Sequence, residues 1–193
     1  MQPLSRTAVK KCLQKMFWVY LTNNFVITSM DDFKKIEAAI RCEFLPITPD
    51  NYFRVRDFRE ENRVSEYRVK LAQKEAGFFA EFDGKIVGSI WATVNNARVP
   101  AVVRSYMKLM PNEALVHDIV TGEKFRGMAV GPFMLQRMCS VLLGELGVSK
   151  IIIDVNVRNS RSLRMMDKAG LEINQKMLSI SAFGKLVAQK LLR

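Results

Sequence analysis

The stretch HDIVTGEKFRGMAVGPFMLQRM, residues 117–138, holds the residue types that could do chemistry. ALVHDIV at 114–120 reads as a buried strand, and Val130, Met134, Leu135, Met138, Val141 and Leu142 mark a helix soon after it. Between them Gly127, Ala129 and Gly131 let the backbone turn tightly. Such a turn aims backbone N–H groups and the positive end of a helix dipole at one point, which suits a phosphate or pyrophosphate. Pro132 fits the first helical turn, where its missing N–H breaks no helical bond. The Gly-Lys-Ser/Thr ending of a Walker loop is absent. Small residues at this spacing also build turns that bind nothing, so both readings stand. Lys124 and Arg126 flank the loop as phosphate partners, while Arg158, Arg161 and Arg164 recur at three-residue steps, either toward the same phosphates or as a solvated face.

His117 is the single histidine. An imidazole beside buried strand residues is either a core side chain or a proton acceptor, its ordinary pKa of about 6.5 suiting the second role. Cys12, Cys42 and Cys139 are odd in number and lack metal-ligand spacing, so neither a zinc cluster nor a disulfide framework is expected, and no metal is assigned.

Several elements must position this stretch. FFAEF at 78–82, Asp83-Gly84 and KIVGSIWATV at 85–94 predict a β-hairpin, because Asp-Gly supplies the positive φ angles of a two-residue turn. Ile151 to Val157 predict another strand, Ser160 to Lys168 a helix, and Gly170 its end. Strand, helix, strand, helix after a hairpin indicates an α/β sheet of mixed direction. Upstream, Thr48-Pro49-Asp50 opens a helical stretch through Tyr52, Phe53, Val55 and Phe58, continued by Val64, Tyr67 and Leu71. Asp31 and Asp32 precede a short helical pattern at Phe33, Ile36 and Ile40. Val9, Cys12, Leu13, Met16, Phe17 and Tyr20 follow helical spacing with Lys10, Lys11 and Lys15 opposite, so an amphipathic helix packed on the domain is expected. Residues 1 to about 75 read as mainly helical, with short strands open near 18–28 and 41–47.

The chain's 193 residues, 49% hydrophobic, match one globular domain with a sizeable core and a terminal extension. No window approaches a membrane span, and no secretory cleavage pattern is visible, so a cytoplasmic protein is expected. A net charge of +11 favours acidic partners. Part of it is local, since residues 84–112 contain no Asp or Glu but include Lys85, Arg98, Arg104 and Lys108. No helix-turn-helix, RNA-recognition or zinc-finger pattern accompanies the charge, so nucleic acid is not an expected partner. Peripheral membrane contact and a homodimer stay open.

Over roughly residues 42–175 the arrangement resembles the GNAT superfamily of N-acetyltransferases. Arg126-Gly127-Met128-Ala129-Val130-Gly131 is similar to its coenzyme A signature, with Ala129 in place of the usual first Gly of the pair. NSRSLRMMDKAGL at 159–171 resembles the second coenzyme A segment, through Asn159, Ser162, Lys168 and Gly170, with Leu171 where Phe is usual. The hairpin, with Gly88, matches the family's second and third strands. The implied fold is a mixed, mainly antiparallel α/β sheet with splayed central strands flanked by helices. With the helical extension it divides into residues 1–41 and a GNAT-like domain at 42–193.

The resemblance implies an acyltransferase that moves an acetyl or longer acyl group from coenzyme A to an amine by direct attack. It implies that Ile119, Val120 and Thr121 pair with the pantetheine arm, that Lys124, Arg126, Gly127, Met128, Ala129, Val130 and Gly131 hold the pyrophosphate, and that Asn159 and Ser162 belong to the same site. His117 is then the proton acceptor, Glu113 the reserve base on the same strand face, and Asp118, on the opposite face of a regular strand, a structural or substrate-orienting carboxylate. Acetyl-CoA is the implied donor, and the basic 84–112 segment favours an acidic or nucleotide-linked small-molecule acceptor. Met166 occupies the position of the family's usual tyrosine acid and cannot donate a proton. A catalytically silent acyl-CoA-binding module is therefore the alternative.

Overall fold

The computed structural model describes residues 17–34, 38–96, 107, 109–183 and 185–192. Eight strands form one sheet: β1 (Phe17–Ile27), β2 (Glu43–Pro46), β3 (Ala76–Phe82), β4 (Lys85–Asn95), β5 (Glu113–Thr121), β6 (Lys150–Asn156), β7 (Gln175–Ala182) and β8 (Lys185–Leu192). Their order is β2-β3-β4-β5-β6-β1-β7-β8. The β5–β6 pair is parallel and the other pairs are antiparallel. Three α-helices complete the described fold: α1 (Arg63–Ala72), α2 (Val130–Gly144) and α3 (Ser160–Ala169).

The expected hairpin is β3–β4, with Phe82 opposite Lys85 and positive φ at both Asp83 and Gly84, as a two-residue primed turn requires. β4 is buried almost end to end because both faces of the sheet are covered there. On one face Val87, Ile90, Ala92, Val116, Ile151 and Ile153 meet Met134, Leu135, Met138 and Leu142 of α2. Burying such a side chain contributes about 1.5–3 kcal/mol, so this layer fixes α2 across the β5–β6 crossover. On the other face Ile86, Trp91 and Phe79 pack with Tyr67 of α1 and with Val55, and a smaller cluster joins Leu109, Leu115 and Ile152. Gly170, at φ +83, ends α3.

Of the N-terminal expectations, the strands near 18–28 and 41–47 are present as β1 and β2, and the helix through Phe17 and Tyr20 is not. Phe17 and Tyr20 lie in β1, an extended strand held between β6 and β7, rather than in a helix. Two neighbouring strands satisfy its backbone, and Phe25 and Ile27 bury in the main core, which outweighs a helical spacing of side chains. Val9, Cys12, Leu13 and Met16, the rest of that expected helix, lie outside the described residues. A boundary at 41/42 falls between two strands of the same sheet, β1 and β2. Among the described residues the pattern at Asp31 and Asp32 yields a 3-10 turn, Met30–Asp32, where Asp32 turns back to accept from the Thr28 and Ser29 N–H groups, while Ile36 lies outside the described residues. No described helix is long and apolar enough to cross a membrane.

Candidate active site

β5 and β6 pair only from Glu113/Lys150 to Val116/Ile153, although β5 runs on to Thr121 and β6 to Asn156. The cause lies in β5. Trp91 faces His117 and Ser89 faces Val120, so two residues, Asp118 and Ile119, oppose Ile90 alone. Asp118 takes φ +48 at this bulge, which bends the strand away from β6. The strands splay, and a cleft of about 500 Å³ opens between Ile119–Thr121, the 125–131 loop and the first turns of α3.

The loop ends in a left-handed step at Ala129, φ +58, before α2 begins. Ala there costs about 1–2 kcal/mol that Gly would not, so this chain tolerates backbone strain where its resemblance calls for Gly. The N–H groups of Gly127, Ala129, Val130 and Gly131 donate to no described acceptor. Together with the positive end of α2, they converge on the cleft. Arg126, Arg161, Arg164 and Lys168 supply cationic side chains around it. The Asn159 side-chain oxygen Oδ1 caps α3 by accepting from the Ser162 N–H at 3.1 Å. These residues fit a pyrophosphate with an extended arm along Ile119–Thr121, as coenzyme A would require.

Of the expected cofactor residues, Ile119, Val120, Thr121, Arg126, Gly127, Ala129, Val130, Gly131, Asn159 and Ser162 line the cleft. Lys124 does not, because it stands exposed on the 3-10 turn Glu123–Phe125. Met128 turns its side chain into the main core while its carbonyl accepts from the Ala39 N–H. Arg161 and Arg164, left open between phosphate contact and solvated face, are on the cleft wall. Met166 is buried in the core, and Met165 faces the cleft, so thioethers occupy both places.

His117 sits one residue past the last β5–β6 pair, at the apex of the splay. Its Nε2 lies 3.2 Å from Glu75 Oε2 and 3.3 Å from Thr93 Oγ1. Glu75 is nearly buried where α1 leads into β3, a position no local motif announces. The bulge also corrects the expectation for Asp118. It turns toward α1, on the Trp91 face with His117, where it pairs with Lys70 and, at 3.4 Å, with Arg59. Lys70 in turn lies 5.0 Å from the Trp91 ring centroid, and Tyr67 shares a 2.5 Å hydrogen bond with Ser89 beneath it. Glu113 is engaged elsewhere: it accepts from Lys150 at 2.8 Å and from the Met110 N–H. It lies four positions before His117 along the strand, roughly 13 Å away.

Burial pushes the Asp118 carboxyl up, but the charge and hydrogen bond of Lys70, with Arg59 behind them, outweigh it and hold it below its ordinary 3.8. The sign follows. The native state binds fewer protons than the unfolded chain, so this carboxylate stabilises the fold above pH 3.8, and that stability fades as pH falls through the lower native value. Asp118→Asn is expected to lose this acid-limb component. Melting curves from pH 7 to pH 3 would show a shallower acid decline than in the parent, and an unchanged decline would contradict the pairing.

Among the described residues no group of three or more His, Cys, Asp or Glu is placed to hold a metal.

Comparison with known proteins agrees with this architecture. In structure the chain is similar to the glucosamine N-acetyltransferase region of a fungal multidomain GH3 β-N-acetylglucosaminidase, at 16% identity and TM-score 0.60, covering 94% of this chain and 23% of that one. It is similar to a GNAT-family acetyltransferase from Colwellia psychrerythraea at 13% identity and TM-score 0.59, covering 92% of this chain and 62% of that one. The aminoglycoside N-acetyltransferase AAC(6')-Iy, solved in complex with CoA, matches at 17% identity and TM-score 0.52, over 67% of this chain and 91% of its own. The chain thus spans less than two thirds of the first two structures. No protein of curated function matches by sequence. The model of the acetyltransferase (GNAT) family matches residues 36–171, and with the splayed β5–β6 pair and the loop before α2 in place, the chain belongs to that family.

Proposed function

We propose that this chain is an N-acyltransferase, moving an acetyl group from coenzyme A to the amine of a small molecule by direct attack. The observation that carries the reading is the set of undonated N–H groups at Gly127, Ala129, Val130 and Gly131 opening onto a splay whose apex holds His117. Bound acetyl-CoA supplies an acyl group activated as a thioester. The loop N–H groups and the cationic rim bind its phosphates, and the free edge of β5 at Ile119–Thr121 orients its arm. His117 takes a proton from the attacking amine, with Glu75 holding the ring and favouring the imidazolium that forms. Among the described cysteines nothing favours an acyl-enzyme over direct attack, because burial raises the thiols of Cys42 and Cys139 and leaves neither poised as a thiolate; Cys12 lies outside the described residues.

Glu113, tied to Lys150 and held below its ordinary 4.5 because that partner and the Met110 N–H outweigh burial, is the weaker base. Asp118 orients the acceptor side by fixing Arg59 and Lys70 rather than by meeting the substrate alone. The acidic or nucleotide-linked acceptor rests on the 84–112 segment, of which 97–106 and 108 lie outside the described residues; Arg59 and Lys70 are already paired with Asp118.

Calorimetry with coenzyme A, followed by thiol release from acetyl-CoA across an amine panel, tests the reading. Micromolar binding with amine-dependent release is expected. Methionine at both 165 and 166 favours, as the second reading, a module that binds acyl-CoA without turnover. Tight binding with no single-turnover transfer to any amine would select it.

A further inference from the structure

Across the splay from His117 stands an acid that no motif accounts for. The β5–β6 ladder ends at Val116/Ile153, so His117 and Asp154 are the next residues on the two strands. Leu115 and Ile152, two residues before them, share one apolar cluster, and strand alternation therefore brings His117 and Asp154 to the same sheet face. Asp154 interrupts an otherwise apolar run, IIIDV, and it is partly buried. One of its carboxylate oxygens, Oδ1, is sealed from solvent and accepts no hydrogen bond from any described residue. Asn24 of β1 is its cross-strand neighbour, and the nearby Thr22 hydroxyl reaches Asn24 Oδ1 at 3.3 Å.

An unmet carboxylate oxygen on a covered face is costly and calls for an explanation. The other acids of the site have cationic or imidazole neighbours: Glu75 meets His117, and Asp118 meets Lys70 and Arg59. Burial pushes the Asp154 carboxyl up, with the Thr22 hydroxyl offsetting it only in part. The donor that Oδ1 lacks is supplied by the reaction itself. Resting on the acyl-transfer reading above, we propose that Asp154 is the counter-charge that seats the acceptor's ammonium at the apex of the splay, opposite His117. The carboxylate accepts a charge-assisted hydrogen bond from the ammonium, and the partner across the splay then withdraws the proton that frees the nitrogen lone pair. The carboxylate's broad χ2 lets either oxygen meet the donor.

The test uses the full chain and Asp154→Asn, which keeps shape and removes charge. Tyramine, glucosamine and spermidine serve as acceptors with acetyl-CoA. For any amine the parent acetylates, KM for that amine is expected to rise about 10- to 100-fold, the worth of a charged hydrogen bond, while kcat and coenzyme A affinity hold. An unchanged KM, or a fall in kcat at constant KM, would overturn the assignment. Thermal shift in ethylammonium chloride against equal sodium chloride gives a second readout that needs no turnover. The parent should gain stability from ethylammonium and Asp154→Asn should not. Equal responses would overturn the ammonium site even if acyl transfer stands. A parent that binds coenzyme A, responds to ethylammonium and acetylates no amine would keep the site and refute the transfer reading.

In the absence of any amine, Asp154→Asn should melt higher than the parent at pH 8, because an unpaired partly buried charge is gone. A lower melting point would show the carboxylate to be a structural partner and would likewise overturn the assignment.

Discussion

His117→Ala is expected to lower kcat by about 10²- to 10⁴-fold, the usual range for loss of a general base. His117 follows directly on the last paired residue of the parallel ladder, so its ring stands where the two strands part. Glu75 at 3.2 Å orients it. Coenzyme A affinity should hardly change, because the donors that meet phosphate are backbone groups ten or more residues further on. The parent should show a rate that rises with pH as the base loses its proton, and that limb should vanish in the variant. Glu75→Gln should lower kcat less and shift the same limb rather than abolish it, since it removes the charge beside the ring and leaves the ring in place. A fully active His117→Ala protein would remove histidine from the mechanism and return the role to Glu113 or to water.

Gly131→Val is expected to weaken coenzyme A binding by about 100-fold or more. Gly131 opens α2 with an N–H that has no described acceptor, and even a Cβ there would lie 2.8 Å from Met165 Sδ, on the wall of the cleft. A branched side chain must push Met165 into the space of the cofactor or move α2 away from α3. The first blocks the arm and the second turns the N–H groups off their common point, so affinity falls by either route. Overpacking of this kind costs about 1–3 kcal/mol of stability, which a domain of this size survives. Circular dichroism should therefore show a folded variant, and calorimetry a lost site. Unchanged affinity in a folded variant would place the pyrophosphate elsewhere.

The two variants probe parts of the molecule that differed in how plainly the chain announces them. The cofactor loop was readable because its requirement is local. A strand, a run of small residues and a helix start make a phosphate cradle from backbone within a few positions, and Gly127 at φ +86 shows the turn that spacing implies. Lys124 and Met128 show the limit of such reading. A 3-10 turn and a core contact, neither visible in the spacing, took their side chains off the wall.

Residue types and spacing by themselves determined the β3–β4 turn, the strand-to-helix loop, the N-terminal start of α2 and the glycine end of α3, because each depends on backbone preferences of neighbouring residues. The family resemblance rested on their order. Only the tertiary structure decided the rest. β1 is a strand because β6 and β7 lie on either side of it, whatever its side-chain periodicity. Asp118 faces α1 because one bulge shifts the alternation of β5. Glu75 and Asp154, 42 residues before and 37 residues after His117 in sequence, reach its neighbourhood through pairings across the sheet. Burial, charge pairing and the missing hydrogen-bond donor at Asp154 are properties of atoms brought together from distant positions, and sequence spacing cannot express them.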